Sequence, residues 1–409
     1  MLCRSYERER EKMREELEDF RTIDDFDVGG KTVLFRADLN SLVINGRVQM
    51  KERIEENAKT IRELSERKAK VVVLAHQGRA GDAHFLSLEQ HAQLLGYLVD
   101  LKYVDDIIGP AAREAIKNMT NGDVLLLDNI RILAEETLDR TPEEHAQSMF
   151  VTRLAPLADI YINDAFSVAH RSHASVVGFP KVLDAGIGRL MEHELRALER
   201  AVGSIERPCV YVLGGAKPPE VFDIMEFALE KGVDSILTAG RIGNLFLYAK
   251  GEIPLKVDKD LFGSVDRARR IAEQGGRRIK YPWDVAIEVD GKREEIPLDE
   301  VKPNEPIYDI GEETCEKYEE IIKDARTVIM KGPAGVFEKE GFAKGTKRIL
   351  KAISDSDAFS LLGGGHTSAA MSELGMAKSD HVHVSLAGGA FLRYLLGKPL
   401  PGIEVLKKQ

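Results

Sequence analysis

Cysteine is scarce: Cys3, Cys209 and Cys315 are the only thiols in 409 residues, far apart, with no CxxC pair and no metal-ligand spacing. That excludes a disulfide scaffold and a thiolate metal centre, and suits a reducing compartment. A basic excess is missing too. The net charge of −10 has the wrong sign for a general nucleic-acid binder. No apolar run approaches the roughly 18 residues that cross a bilayer. The opening MLCRSYEREREKMREELEDF is charged throughout and lacks a signal-peptide apolar core. Neither a Walker A motif nor a G-x-G-x-x-G with a following ribose acid occurs, which disfavours P-loop enzymes and dinucleotide dehydrogenases. No low-complexity tract interrupts the chain. A soluble, cytoplasmic protein without nucleic-acid or membrane partners is expected.

What is present is an alternation of strands and helices. Apolar, β-branched runs stand at 32–38, 70–76, 123–129, 159–165, 209–215, 235–240, 327–332, 359–364 and 381–389. Several are apolar on both faces, as buried parallel strands are. Segments 52–68 and 88–98 between them have helical periodicity. The rhythm predicts an α/β fold with parallel sheets. At 409 residues the chain exceeds one ordinary core, so two domains of about 150–200 residues are expected. The strands fall into two groups around GIGRLMEHELRALERAV (186–202), where Leu190, Met191, Leu195 and Leu198 form one apolar stripe. That segment reads as a helix bridging two domains. The first twenty residues read as a further charged helix, with Tyr6, Met13, Leu17 and Phe20 on one side.

Ligands of open α/β sheets bind at the carboxyl ends of the strands. In the first half those ends carry Arg36, Asp38 and Asn40 (RADLN), His76 and Arg79 (AHQGR), Arg131 (LLLDNIR), and His170, Arg171 and His173 (INDAFSVAHRSH). Arg53 opens the helix after the first strand. An acidic chain has gathered arginines and histidines at one end of one sheet. Guanidinium groups suit bidentate contact with carboxylate or phosphate, so this half is read as the site of a small, multiply anionic ligand. The second half carries glycine turns instead: GGAK (214–217), TAG (238–240), KGPAGVFE (331–338), GGGHT (363–367) and LAGGA (386–390). They suit backbone approaching phosphates and a flat ring.

RADLN, AHQGR, LLLDNIR, NDAFSVAHRSHAS, GGAK, GPAGVFE and GGGHT, in this order and at this spacing, resemble the phosphoglycerate kinase family over residues 22 to 407. The resemblance implies two Rossmann-like three-layer domains joined by an interdomain helix. The first would span 1–188 and bind 3-phosphoglycerate, with a returning C-terminal segment (393–409); the second, 189–392, would bind the nucleotide. It implies substrate contacts from Asp38, Leu39, Asn40, Arg53, His76, Gln77, Gly78, Arg79, Arg131, His170 and Arg171. Lys217, Gly240, Lys331, Glu338, Gly363, Gly364, Gly365, His366 and Thr367 would serve the nucleotide. Arg53, Lys217, Gly364 and Gly388 would act on the transferring phosphoryl group.

The implied reaction is reversible transfer between ATP and the carboxylate of 3-phosphoglycerate, giving ADP and 1,3-bisphosphoglycerate, with Mg2+ on the nucleotide and domain closure excluding water. Three positions depart from the family pattern. Val221 stands where a second lysine usually follows GGAK. Lys331 stands where an asparagine precedes the Gly-Pro turn, and is read either as compensating for that lost charge or as a solvated surface lysine. His366 replaces the aspartate that usually helps hold magnesium. Mg2+ prefers hard oxygen ligands, so His366 is not expected to be a direct ligand, and the ion is expected on nucleotide oxygens and water. A non-catalytic sensor of a phosphorylated metabolite on the same fold is the alternative function. A monomer is expected, with a homodimer as the alternative.

Overall fold

Every residue of the run TVLFR (Thr32–Arg36) is buried, as is every residue of CVYVL (Cys209–Leu213). Such strands need cover on both faces and neighbours on both edges, which a helix-flanked parallel sheet supplies. The computed structural model describes residues 17–50, 52–254, 259–303, 305–376 and 379–408. They form an α/β fold of two units. One unit runs to Arg196 and takes in the segment from Pro399 onward; the other is Ala197–Lys398. The division falls within the helix Arg189–Leu198.

The first unit holds a six-stranded, wholly parallel sheet. From edge to edge its strands are Lys102–Val104, Val124–Leu127, Lys70–Leu74, Thr32–Arg36, Ile160–Asn163 and Asp184–Ile187. From Thr32–Arg36 the chain adds Lys70–Leu74 beside it and Lys102–Val104 at the edge, inserts Val124–Leu127 between those two, then crosses to the other side with Ile160–Asn163. Helices Glu52–Glu66 and Glu89–Gly96 bury Ile54, Ala58, Ile61, Leu64 and Leu95 against the strands. The second unit also holds a six-stranded sheet, in a different order: Ile279–Lys280, Ser235–Thr238, Cys209–Leu213, Thr327–Lys331, Phe359–Gly363 and Val382–Ser385, again all parallel. In chain order within the unit its strands lie 3-2-1-4-5-6, the doubly wound order.

All nine expected strands are present, each shorter than its apolar run, and the last, expected at 381–389, is only Val382–Ser385. The expected parallel sheets are joined by an antiparallel one of three strands, Asp284–Val289, Lys292–Pro297 and Ile307–Ile310. Its edge strand KREEIP, Lys292–Pro297, is charged and half exposed, so periodicity gave no signal there. The bridging helix starts at Arg189 rather than 186, because Asp184–Ile187 pairs as an edge strand and the buried Asp164 then caps the turn, its Oδ1 accepting the Met191 N–H at 2.9 Å. Met191, Leu195 and Leu198 are its buried stripe, while Leu190 is only half-buried. The expected N-terminal helix lies largely outside the described residues; Leu17 and Phe20 are buried in a turn and a bridge to Lys407.

The C-terminal segment closes the first unit. The Gly402 N–H donates to Ala169 O at 2.9 Å, and a Cβ at Gly402 would meet Val176 Cγ1 at 2.5 Å. Leu400, Ile403 and Leu406 are buried there. Ile403→Ala leaves a cavity in this seam and is expected to cost about 2–5 kcal/mol. Urea unfolding of the full chain, read on the transition that includes the first unit, checks it; an unchanged midpoint would show the seam to be dispensable.

Candidate functional site

In the first sheet the strand order reverses between Thr32–Arg36 and Ile160–Asn163, and their carboxyl ends open on one crevice. Arg36, the last residue of its strand, is completely buried. Its Nε donates to Ser175 Oγ at 2.9 Å, its Nη1 to Ala37 O at 2.6 Å, and its Nη2 lies 3.0 Å from His76 Nδ1. Negative charge reaches it indirectly. The Ser175 hydroxyl donates to Glu136 Oε1 at 2.7 Å and the Ser175 N–H donates to Oε2 at 2.8 Å, with Glu136 also fully buried. His173 Nδ1 stands 3.6 Å from the same carboxylate.

A guanidinium only donates, so His76 accepts at Nδ1 and carries its proton on Nε2. Burial first, then the charges of Arg36, Arg131 and Arg53, hold its pKa well below 6.5. Arg131 is pushed down to about 10, by burial and then by Arg36, and remains cationic at neutral pH. Burial and then Arg79 lower Arg171. Cations that depress one another in this way form a site short of an anion.

Arg53 is the exception, because its Nη1 meets both Asp38 oxygens at 2.7 and 2.8 Å and Ser167 Oγ at 3.4 Å. Asn57 fixes this pair, accepting from the Asp38 N–H and donating to Asp38 O and Arg53 O. Asn40 Oδ1 accepts the Gly78 N–H at 2.9 Å, and Gly78 O accepts from Arg131. These contacts bring Asp38, Asn40, Arg53, His76, Gly78, Arg79, Arg131 and Arg171 into one cluster. His170 stands half-buried beside Arg171. Leu39 turns into the core, and the Gln77 amide binds Ser41 and the His84 carbonyl rather than opening on the crevice. Glu136 joins this cluster from outside every quoted motif, while Ser175 closes the motif NDAFSVAHRSHAS without having been singled out there. An arginine ending a wholly apolar strand was the available signal for a buried counter-charge.

In the second unit a cavity of about 460 Å3 opens at the reversal between Cys209–Leu213 and Thr327–Lys331. Lys217, Gly240, Lys331, Glu338, Gly364, Gly365, His366, Thr367 and Gly388 all line it. Gly363 lies behind this wall, at its strand end against the Phe391 ring. Helices Pro218–Glu230, Gly240–Lys250, Gly365–Glu373 and Gly388–Leu395 all begin in the lining. First-turn N–H groups have no intrahelical acceptor, so these starts form a cradle for anions.

Two glycines make this possible. Gly364 caps its helix at φ +100, and Gly332 sits at φ +83, where a Cβ would come within 2.5 Å of Gly214 O. Thr367 stitches the two turns, accepting the Gly332 N–H at 2.9 Å and donating to Gly363 O at 3.0 Å. Ile307, Tyr308, Val336 and Leu392 supply apolar wall suited to a flat ring. Lys331 is only 13% exposed and its Nζ pairs with Glu220 Oε2 at 3.0 Å, so it is not a solvated surface lysine. His366 is exposed in the first helical turn.

The lining does not fit a protein-held Mg2+. Its carboxylates are Glu220, Asp309 and Glu338. Glu220 is taken by lysines, and Asp309 by Arg293 and the Gly345 and Ile310 N–H groups. Among the described residues no group of three or more His, Cys, Asp or Glu is placed to share a metal ion.

A phosphoglycerate kinase family model matches residues 23–398. The phosphoglycerate kinase of Methanothermus fervidus is 44% identical over 400 residues, covering 95% of this chain and 97% of that protein. That of Aeropyrum pernix is 45% identical over 396 residues, covering 94% and 95%. The crystal structure of phosphoglycerate kinase from Pyrococcus horikoshii superposes with a TM-score of 0.87 at 39% identity, covering 95% of this chain and 98% of that one. The Coxiella burnetii enzyme gives 0.81 at 33% identity, with the same coverage.

The buried neutral imidazole predicts a pH dependence. His76 titrates lower in the folded chain than its unfolded value of ~6.5, so the unfolded chain takes the proton first. Its contribution is therefore present above ~6.5 and lost as pH falls toward the folded pKa. His76→Gln is expected to flatten the acid side of the stability curve, with the wild-type advantage shrinking from pH 7.5 to 5. Denaturant unfolding of both proteins across that range checks it; parallel curves would mean that His76 carries no linkage.

Proposed function

The chain belongs to the phosphoglycerate kinase family, and on that premise we propose that the cationic cluster of the first unit holds 3-phosphoglycerate and the glycine-walled cavity of the second holds the adenine nucleotide. The reaction is reversible phosphoryl transfer between ATP and the carboxylate of 3-phosphoglycerate, yielding ADP and 1,3-bisphosphoglycerate. The observation that carries the assignment of the nucleotide is the cavity itself, at the strand-order reversal, with four helix starts and two lysines in its lining.

The acceptor carboxylate titrates near ~4 and is ionised at neutral pH, so no residue needs to abstract a proton. One acceptor oxygen forms its bond to phosphorus as the bond from phosphorus to the β–γ bridging oxygen breaks, and that oxygen leaves with ADP. The protein's task is to position the reactants and to stabilise charge on the three equatorial oxygens. His76, neutral with its proton on Nε2, donates rather than repels or accepts. Arg131 and Arg171 neutralise the substrate's anionic groups. Arg53, oriented by Asp38, reaches the transferring group from the acceptor side. Lys217 and the N–H groups at Gly364 and Gly388 meet it from the nucleotide side. Magnesium belongs to the nucleotide, bound by phosphate oxygens and water, since the cavity offers no carboxylate set to fix it. The non-catalytic sensor finds no support, because the cationic cluster and Lys217 are both retained in a chain whose relatives are kinases.

ATP-dependent formation of 1,3-bisphosphoglycerate in a coupled assay tests the reaction, and absence of turnover would reject it. Within that assay Arg53→Ala is expected to lower turnover by on the order of 10²–10³, the typical loss of one well-placed donor, while ADP affinity stays nearly unchanged. Retention of more than about a third of wild-type turnover would remove Arg53 from the transferring group.

A further inference from the structure

Lys331 and Lys217 share one partner. Glu220 Oε2 lies 3.0 Å from Lys331 Nζ, and Glu220 Oε1 lies 3.9 Å from Lys217 Nζ. All three side chains line the cavity, beside the turn at Gly364 that starts a helix. Glu220 follows Lys217 by three residues, at the first turn of Pro218–Glu230, and Val221 beside it forms buried cavity wall. Lys331 arrives from the neighbouring strand Thr327–Lys331. A carboxylate thus sits between two ammonium groups at a place otherwise built to receive phosphate oxygens. The local sum is two positive charges and one negative.

We propose that Glu220 is a resident anion of the nucleotide site, which holds Lys331 and Lys217 in place when the site is empty and yields them to the nucleotide phosphates on binding. It is a positioning residue. This rests on assigning the cavity to the nucleotide and adds to that assignment a competitor built into the chain. The physical reason is direct. An ammonium group makes few contacts at once, and a phosphate must win both lysines from a carboxylate already within ion-pair range. The pairing orders Lys331, whose side chain is 13% exposed, more than Lys217, whose side chain is 71% exposed. It also weakens phosphate binding, which favours release of product.

The probe is inorganic pyrophosphate, measured by calorimetry on the full chain, with ADP and adenosine alongside. Glu220→Gln is expected to tighten pyrophosphate and ADP by about two- to fivefold at low salt, the scale of an exposed ion pair. The gain should shrink as salt is raised, because it is electrostatic. Adenosine, which has no phosphate, should bind as before. Glu220→Asp should stay close to wild type, and Lys331→Gln combined with Glu220→Gln should lose most of the gain. Unchanged or weaker pyrophosphate binding in Glu220→Gln, with wild-type ADP binding normal, overturns the proposal and leaves the nucleotide assignment standing. Failure of both proteins to bind ADP or pyrophosphate overturns the two together.

Discussion

Parallel pairing is the constraint from which the rest follows. A parallel strand can be extended only after the chain has crossed back over a sheet face, so every strand of one sheet ends on the same edge. Where the order of strands reverses, consecutive connections leave on opposite faces and the edge is left open between them. Both units have one such opening, after Thr32–Arg36 in one and after Cys209–Leu213 in the other. Residues far apart in the chain meet there because they follow neighbouring strands. Asp38 and Ser167 both reach Arg53 in this way, and Gly332 reaches Thr367.

The two openings present positive charge differently. In the first unit charge is concentrated by burial: Arg36 is enclosed, satisfied by hydroxyl, carbonyl and imidazole acceptors, and balanced only through Ser175 by Glu136. Burying a cation is tolerated when its donors are used and a counter-charge is near. The result is a fixed positive potential under His76 and Arg131 that requires no side chain to move. In the second unit the donors are mostly backbone N–H groups at helix starts, with lysines at the margin. Glycine at Gly332 and Gly364 lets that backbone come close, since both positions hold φ values that other residues resist. Rigid side-chain charge suits a small acid with a fixed pattern of anionic groups; bare backbone suits a chain of phosphates.

Three departures from the family pattern, Val221, Lys331 and His366, all line this second cavity. Val221 closes its wall as a buried apolar residue, so no charge arises from that turn of Pro218–Glu230. Lys331, at the end of the neighbouring strand, brings an ammonium group to the lining and pairs with Glu220. His366 gives the first turn of Gly365–Glu373 an exposed imidazole in place of a carboxylate. The cavity lining thereby contains less acid, its carboxylates being Glu220, Asp309 and Glu338.

The sequence by itself determined the strands, their parallel pairing and the charge division between the halves. Apolar runs buried on both faces read the same whatever surrounds them, and arginines, histidines and glycines at strand ends keep their meaning in any order of strands. It left the charged strand Lys292–Pro297 and the edge strand Asp184–Ile187 illegible, because both are stabilised by a partner rather than by an internal pattern. Which strands become neighbours, and so which ends share a crevice, was decided only by tertiary structure. So was the enclosure of Arg36 with Glu136, a hundred residues onward, and the meeting of Lys331 with Glu220. Pairing energy depends on distance in space and on burial, and neither is written in the spacing of one chain.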